Sequence, residues 1–293
     1  MKEKSFDEYY RKTPENLKNS LLEFRKNTKY KTLDHKGTNW RYYASGSGSE
    51  VLLIIPGGMR RAESIFAELE AFSKSYRVIS PDLPVINDAD CILDGIHEIC
   101  RTEKAGKVNI LGRSFGGTVV QGFTAKYPEM VKKLILCSTV YSDRNKLEDA
   151  RKSLNTFKNM SEKLIRVLIK PALFKIIRKD ADKAGKLYWK AFLDEFFDSV
   201  SAKELMVSQM SIGCGVLSDY TLDPEQIKNM GKRILIVYAE NDSVVNKKEA
   251  EVYNSVFSDA ERKIFKTGGH ALFMTRREEY MKSISEFINN RVP

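Results

Sequence analysis

Short unbroken apolar runs alternate with amphipathic stretches along most of the chain. Val51-Leu52-Leu53-Ile54-Ile55, Tyr76-Arg77-Val78-Ile79-Ser80, Lys107-Val108-Asn109-Ile110-Leu111, Lys133-Leu134-Ile135-Leu136-Cys137, residues 233–239 and residues 262–266 are each too short for a core helix. Glycine, proline or polar clusters bound them, so they read as strands. Their continuous apolar character is that of strands covered on both faces. A further strand, 39–44, precedes the turn Ser45-Gly46-Ser47-Gly48. Between the strands, helical spacing predicts helices over about 62–74, 89–102, 118–127, 247–257 and 275–290. Strands alternating with helices imply a mostly parallel central sheet with helices on both faces. Active sites in such sheets lie beyond the carboxyl ends of the strands.

Two stretches break the rhythm. Residues 1–38 read as a helix around 17–26 plus an extended arm, an N-terminal segment able to clamp the core or a partner. Residues 143–225 read as consecutive helices over 147–159, 162–179, 181–197 and 202–210. They are expected to form a helical lid inserted between the two parts of the core, 39–142 and 226–293. The charge of this insertion is lopsided: residues 144–190 hold fourteen Lys/Arg against five Asp/Glu, and residues 191–225 one lysine against seven acids. Apolar side chains interleave the basic half, from Leu164 to Ile177. That is the pattern of a lid helix with solvated lysines, or of a segment meeting an acyl chain, an anionic substrate or a membrane surface.

The composition of the 293 residues, 42% hydrophobic and 30% charged, suits one large core. No run approaches the length of a membrane span. The excess of 49 basic over 39 acidic residues comes with no nucleic-acid-binding motif, so no DNA or RNA partner is inferred. Met1-Lys2-Glu3-Lys4-Ser5 lacks the apolar region of a secretory signal. Cys91, Cys100, Cys137 and Cys214 show no paired spacing, and three histidines make a structural zinc site improbable. The expectation is a cytoplasmic protein with reduced thiols, needing no metal or organic cofactor; the pattern carries nothing on oligomeric state.

Candidate chemistry centres on Gly112-Arg113-Ser114-Phe115-Gly116-Gly117, which joins an apolar run to a helical pattern. A serine at the tip of such a strand–turn–helix elbow is held in a strained conformation with its hydroxyl exposed, and glycines allow the close strand–helix approach. In this plan the base follows the serine in sequence, and of His35, His97 and His270 only His270 does so. It lies on a glycine turn after a predicted strand. The acid belongs between them at a strand end. Asp242 follows the 233–239 run and is preferred, with Glu240 next and Asp143 a distant third. Such a carboxylate fixes the histidine tautomer and stabilises the imidazolium. Pro56-Gly57-Gly58-Met59 ends another strand. The N–H groups of Gly58, the likelier donor, or its neighbour Met59 would join that of Phe115 in an oxyanion hole.

The order Pro56-Gly57-Gly58, Gly112-Arg113-Ser114-Phe115-Gly116, Asp242, His270 resembles the α/β-hydrolase superfamily over roughly residues 39–290. A closer resemblance, to the maspardin-like branch near proline-iminopeptidase-like hydrolases, is carried by Tyr76-Arg77-Val78-Ile79, Leu83-Pro84-Val85, Leu134-Ile135-Leu136-Cys137-Ser138 and Lys266-Thr267-Gly268-Gly269. The resemblance implies an α/β-hydrolase fold with a helical cap and a Ser-His-Asp site. The chain departs from it in carrying Pro56 where most members have histidine, and in lacking glycine across residues 81–87. The expected activity is hydrolysis of a carboxylic ester or thioester of a small-molecule acyl substrate through an acyl-enzyme. Peptidase or acyltransferase action on the same residues, and a non-catalytic partner-binding role, stand as alternatives.

Overall fold

The structure, a computed structural model, describes residues 4–290. Its strands are β1 (Lys31–His35), β2 (Thr38–Ser45), β3 (Val51–Ile55), β4 (Arg77–Pro81), β5 (Val108–Arg113), β6 (Val131–Cys137), β7 (Ile234–Ala239) and β8 (Glu261–Phe265). They form a single sheet in the order β1-β2-β4-β3-β5-β6-β7-β8. β2 is antiparallel to both β1 and β4, and the other neighbours are parallel. The helices are α1 (Phe6–Tyr10), α2 (Glu15–Asn27), α3 (Phe66–Phe72), α4 (Ala89–Thr102), α5 (Phe115–Lys126), α6 (Leu147–Asn159), α7 (Glu162–Arg178), α8 (Lys183–Ser199), α9 (Ala202–Asp219), α10 (Pro224–Met230), α11 (Lys247–Val256), α12 (Leu272–Thr275) and α13 (Arg277–Asn289).

The apolar runs bury both of their faces, as their continuity requires. In β3, Val51, Leu53 and Ile55 join one cluster with Ile92, Ile96, Val119 and Phe123 of α4 and α5. Leu52 and Ile54 join the opposite cluster with Leu69, Phe72, Tyr280 and Ile284 of α3 and α13. β7 alternates in the same way: Ile234 and Ile236 face the first cluster, Leu235 and Val237 the second. Two apolar layers thus hold the sheet between helices, and its parallel strands all point their carboxyl ends at one edge.

Helices α1 and α10 were not among the expected helices, and two further elements differ from their sequence expectation. Residues 31–35, expected as part of an arm, form the sheet's edge strand β1, turned into β2 by Lys36 and Gly37 at φ 50° and 75°. Two successive positive φ values make a tight hairpin turn that matches strand twist. Because β1 is an exposed edge, its sequence carries little apolar alternation. Helix α9 runs on to Asp219, well past the expected end near 210. Gly215 in it is a contact point and not a break, for a Cβ there would lie 2.6 Å from that of Ala89. Close approach lets Ile212 and Val216 reach the sheet-face cluster.

The helices between β6 and β7 form a third apolar cluster with the N-terminal segment. Tyr10 and Leu21 pack there with Ile165, Trp189, Phe192 and Phe196, and so does Met59 of the turn after β3. Two ion pairs join the basic half of the insertion to the acidic half: Arg166 of α7 with Asp198 of α8, and Lys170 of α7 with Asp194 of α8 at 2.8 Å. Glu162 accepts from the backbone N–H groups of Ala202 and Lys203 at the start of α9. No helix among the described residues is long and apolar enough to cross a membrane.

Candidate active site

Ser114 sits between β5 and α5 with φ 51° and ψ −122°, a conformation that costs a non-glycine residue on the order of 1–3 kcal/mol. The surroundings hold it there. Its N–H donates to the Cys137 carbonyl at 3.0 Å, and its carbonyl accepts from Gly117 N–H and Thr139 Oγ1, both at 2.8 Å. The flanking glycines are sterically required. A Cβ on Gly112 would lie 2.4 Å from the Gly116 carbonyl oxygen, and one on Gly116 2.4 Å from that of Ile55.

Beneath the elbow, Arg113 and Glu68 form a buried ion pair, with Arg113 Nη2 donating to the two carboxylate oxygens at 2.6 and 2.5 Å. The guanidinium carbon lies 3.7 Å from the Phe273 ring centroid. An ion pair this well enclosed is held by its geometry, since the loss of either partner leaves a bare buried charge.

The structure brings His270 and Asp242 together. His270, on the loop after β8, places Nδ1 3.0 and 3.1 Å from the two Asp242 oxygens. Asp242 follows β7, and its side chain is fully buried. Burial pushes its carboxyl up, but the hydrogen bond and charge of His270 and the N–H of Val244, 2.8 Å from Oδ1, hold it below the usual aspartate value. Asn241, which sequence reasoning passed over, ties the two loops: its Oδ1 accepts from Gly269 N–H at 2.9 Å. Gly269 takes φ 60°, which explains a glycine there.

The other candidates go elsewhere. Glu240 is exposed, and its N–H is used in pairing with Phe265. Asp143 caps the turn after β6 by accepting from Asn145 N–H. His35 lies on β1, and His97 of α4 stacks on Tyr127.

The oxyanion candidates Gly58 and Met59 follow β3, next to the elbow: a Cβ on Gly57 would lie 3.6 Å from that of Ser114. Phe115 opens α5. Gln209 of α9 roofs this turn, its Oε1 3.3 Å from a Cβ position on Gly58. Arg60 closes the turn with its N–H on the Gly57 carbonyl at 2.8 Å. Its side chain is 2% exposed and its guanidinium lies 5.4 Å from the Phe115 ring centroid. Neither Arg60 nor Gln209 was found from sequence, because nothing in Gly57-Gly58-Met59-Arg60-Arg61 tells which arginine turns inward.

A mostly parallel sheet covered on both faces, with a serine on a strained strand–helix elbow and a His–Asp pair on later strand ends, defines the class of sheet-based hydrolase scaffolds. The family model for the α/β hydrolase fold matches residues 50–276, and the chain belongs to that family. Maspardin from Danio rerio is 26% identical over 248 residues, which cover 82% of this chain and 75% of that protein. The (E)-2-((N-methylformamido)methylene)succinate hydrolase of Acinetobacter baylyi is 30% identical over 118 residues, 37% of this chain and 44% of that enzyme's length. Among solved structures, an esterase from Exiguobacterium antarcticum superposes with TM-score 0.68 at 18% identity, covering 90% of this chain and 100% of that one. A hydrolase from Pseudomonas aeruginosa gives 0.71 at 13%, with 89% and 98% covered.

Proposed function

We propose that the protein is a serine hydrolase that cleaves a carboxylic ester or thioester of a small acyl substrate through an acyl-enzyme. The observation that carries this reading is the His270–Asp242 contact at 3.0 Å, made by loops that leave the sheet at the same edge as the strained Ser114. With Nδ1–H donating to Asp242, Nε2 is left as the proton acceptor. Ser114 Oγ bonds to the carbonyl carbon, its proton passes to Nε2, and the carbonyl π pair moves onto oxygen. Backbone N–H groups of Phe115 and of Gly58 or Met59 receive that oxyanion. When the pair returns, the bond to the leaving group breaks and His270 supplies the proton. Water, deprotonated by the same imidazole, then releases the acyl group. The helices between β6 and β7 act as the lid, since Met59 and Gln209 tie them to the turn that receives the oxyanion.

The test is turnover of p-nitrophenyl acyl esters of graded chain length beside aminoacyl anilides. The expected result is ester and thioester hydrolysis that falls by at least about 10⁴-fold in Ser114→Ala. Hydrolysis of the anilides alone would make the protein a peptidase. Loss-free activity in Ser114→Ala would remove the serine from the chemistry.

A further inference from the structure

Three cations are buried among the described residues: Arg60, Arg113 and Lys133. Arg113 has Glu68. Lys133 Nζ donates to the carbonyls at the end of α13, including that of Asn290 at 2.7 Å, where the helix dipole supplies negative potential. Arg60 has neither. Its Nη1 donates to Ser208 Oγ and its Nη2 to the Pro84 carbonyl, each at 2.7 Å, and its Nε is buried without an acceptor. No carboxylate lies within ion-pairing distance of its guanidinium among the described residues.

A buried, uncompensated charge is costly, and a neutral side chain would fill this space at less expense in stability. The cost falls at a telling place. Arg60 is two residues past Gly58, its N–H closes the turn on Gly57, and its guanidinium lies over the ring of Phe115. The charge is therefore carried by the turn that holds Gly58 and Met59 and contacts the ring of Phe115, the residues whose N–H groups would receive the oxyanion. Ser208, which holds the guanidinium, is itself buried and adjoins Gln209, the residue that roofs Gly58. The guanidinium is sealed from substrate and acts through space only.

We propose that Arg60 is an electrostatic positioning residue that supplies the missing counter-charge to the oxyanion formed at Ser114. This rests on the hydrolase reading above. In the resting protein the charge is unbalanced. As the serine oxygen bonds to the carbonyl carbon and the π pair moves onto oxygen, a full negative charge appears beside it, and the imbalance closes. Arg60 accepts no proton and forms no bond in the step. The interaction exists in the transition state and not with neutral substrate, so it raises kcat and leaves KM nearly untouched.

Acting through space and not by a hydrogen bond, the charge is expected to be worth less than the roughly 10²–10³-fold of a direct oxyanion-hole donor, on the order of tens-fold. The test compares Arg60→Met, Arg60→Lys and Ser208→Asp with wild type on p-nitrophenyl butyrate, alongside thermal melting. Arg60→Met is expected to lower kcat on the order of tens-fold with KM within about threefold, and Arg60→Lys to recover most of the loss. Ser208→Asp keeps the arginine but places a carboxylate against it. It is expected to lower kcat in the same way, and it carries the test should Arg60→Met fail to fold. Unchanged kcat in folded Arg60→Met or Ser208→Asp overturns the proposal while leaving the hydrolase reading intact. Equal losses in Arg60→Lys and Arg60→Met overturn it in favour of a shape role. A wild type that turns over no ester and takes no fluorophosphonate on Ser114 fails the hydrolase reading itself, and the proposal with it.

Discussion

At the scale of single residues, the account rests on side chains whose surroundings fix one orientation. Asp242 is the sharpest case: a fully buried carboxylate kept charged by an imidazole and a backbone N–H. Asp242→Asn keeps the shape but permits the wrong histidine tautomer, and kcat is expected to fall by about 10⁴-fold with little change in KM. The same substitution has a pH signature. The Asp242 carboxyl titrates below the aspartate reference of 3.8 in the folded protein, so its contribution to stability is present above that value and lost as pH falls through the folded one. Urea unfolding of wild type and Asp242→Asn is therefore expected to show a stability gap that is wider at pH 7 than at pH 3.5. A gap independent of pH would contradict the lowered Asp242 carboxyl. The elbow at Ser114 and the place of His270 after it were legible from order and spacing, whereas Asp242 is separated from Asp143 and Glu240 only by its contact with His270. Arg60 and Asn241 were not, because burial and a cross-loop hydrogen bond leave no mark on local spacing.

At the scale of elements, α1 and α2 clamp the helical insertion to the core. Arg25 of α2 reaches Glu63 of the core at 2.6 Å and Glu195 of α8 at 2.8 Å, and Tyr10 of α1 donates to Glu195 at 2.8 Å. Arg25→Met leaves two half-buried carboxylates facing each other across that junction. Because Arg25 is partly exposed, the expected cost is roughly 1–3 kcal/mol, below that of a sealed pair. Hydrogen exchange is expected to quicken in α1 and α8 while β5 and β6 keep their protection. Uniform loss of protection across the sheet would contradict a local clamp. Long apolar or amphipathic elements such as β3, β7, α4 and α6 were readable because period and burial agree there. Strand β1 and the second half of α9 were not: one is a polar edge, and the other spends Gly215 on close packing where glycine usually signals an end.

At the scale of the whole molecule, the sheet sorts its side chains into two apolar layers and leaves the catalytic candidates at one rim. The third apolar cluster joins the insertion, the N-terminal helices and Met59 into a roof. The fold was readable because alternation of strands and helices is a property of the entire chain. The meeting of His270 with Asp242 follows from that topology and from no local motif. Of the charges in the insertion, open in sequence to several readings, Arg166 and Lys170 of α7 pair with Asp198 and Asp194 of α8. The central claim is that the elbow serine is an activated nucleophile served by that histidine. Peptide mass spectrometry after reaction with a fluorophosphonate tests it most directly. The account predicts a single adduct on Ser114, formed at least about 10³-fold more slowly in a folded His270→Ala variant. No adduct on well-folded wild type, or one formed equally fast without His270, would contradict it.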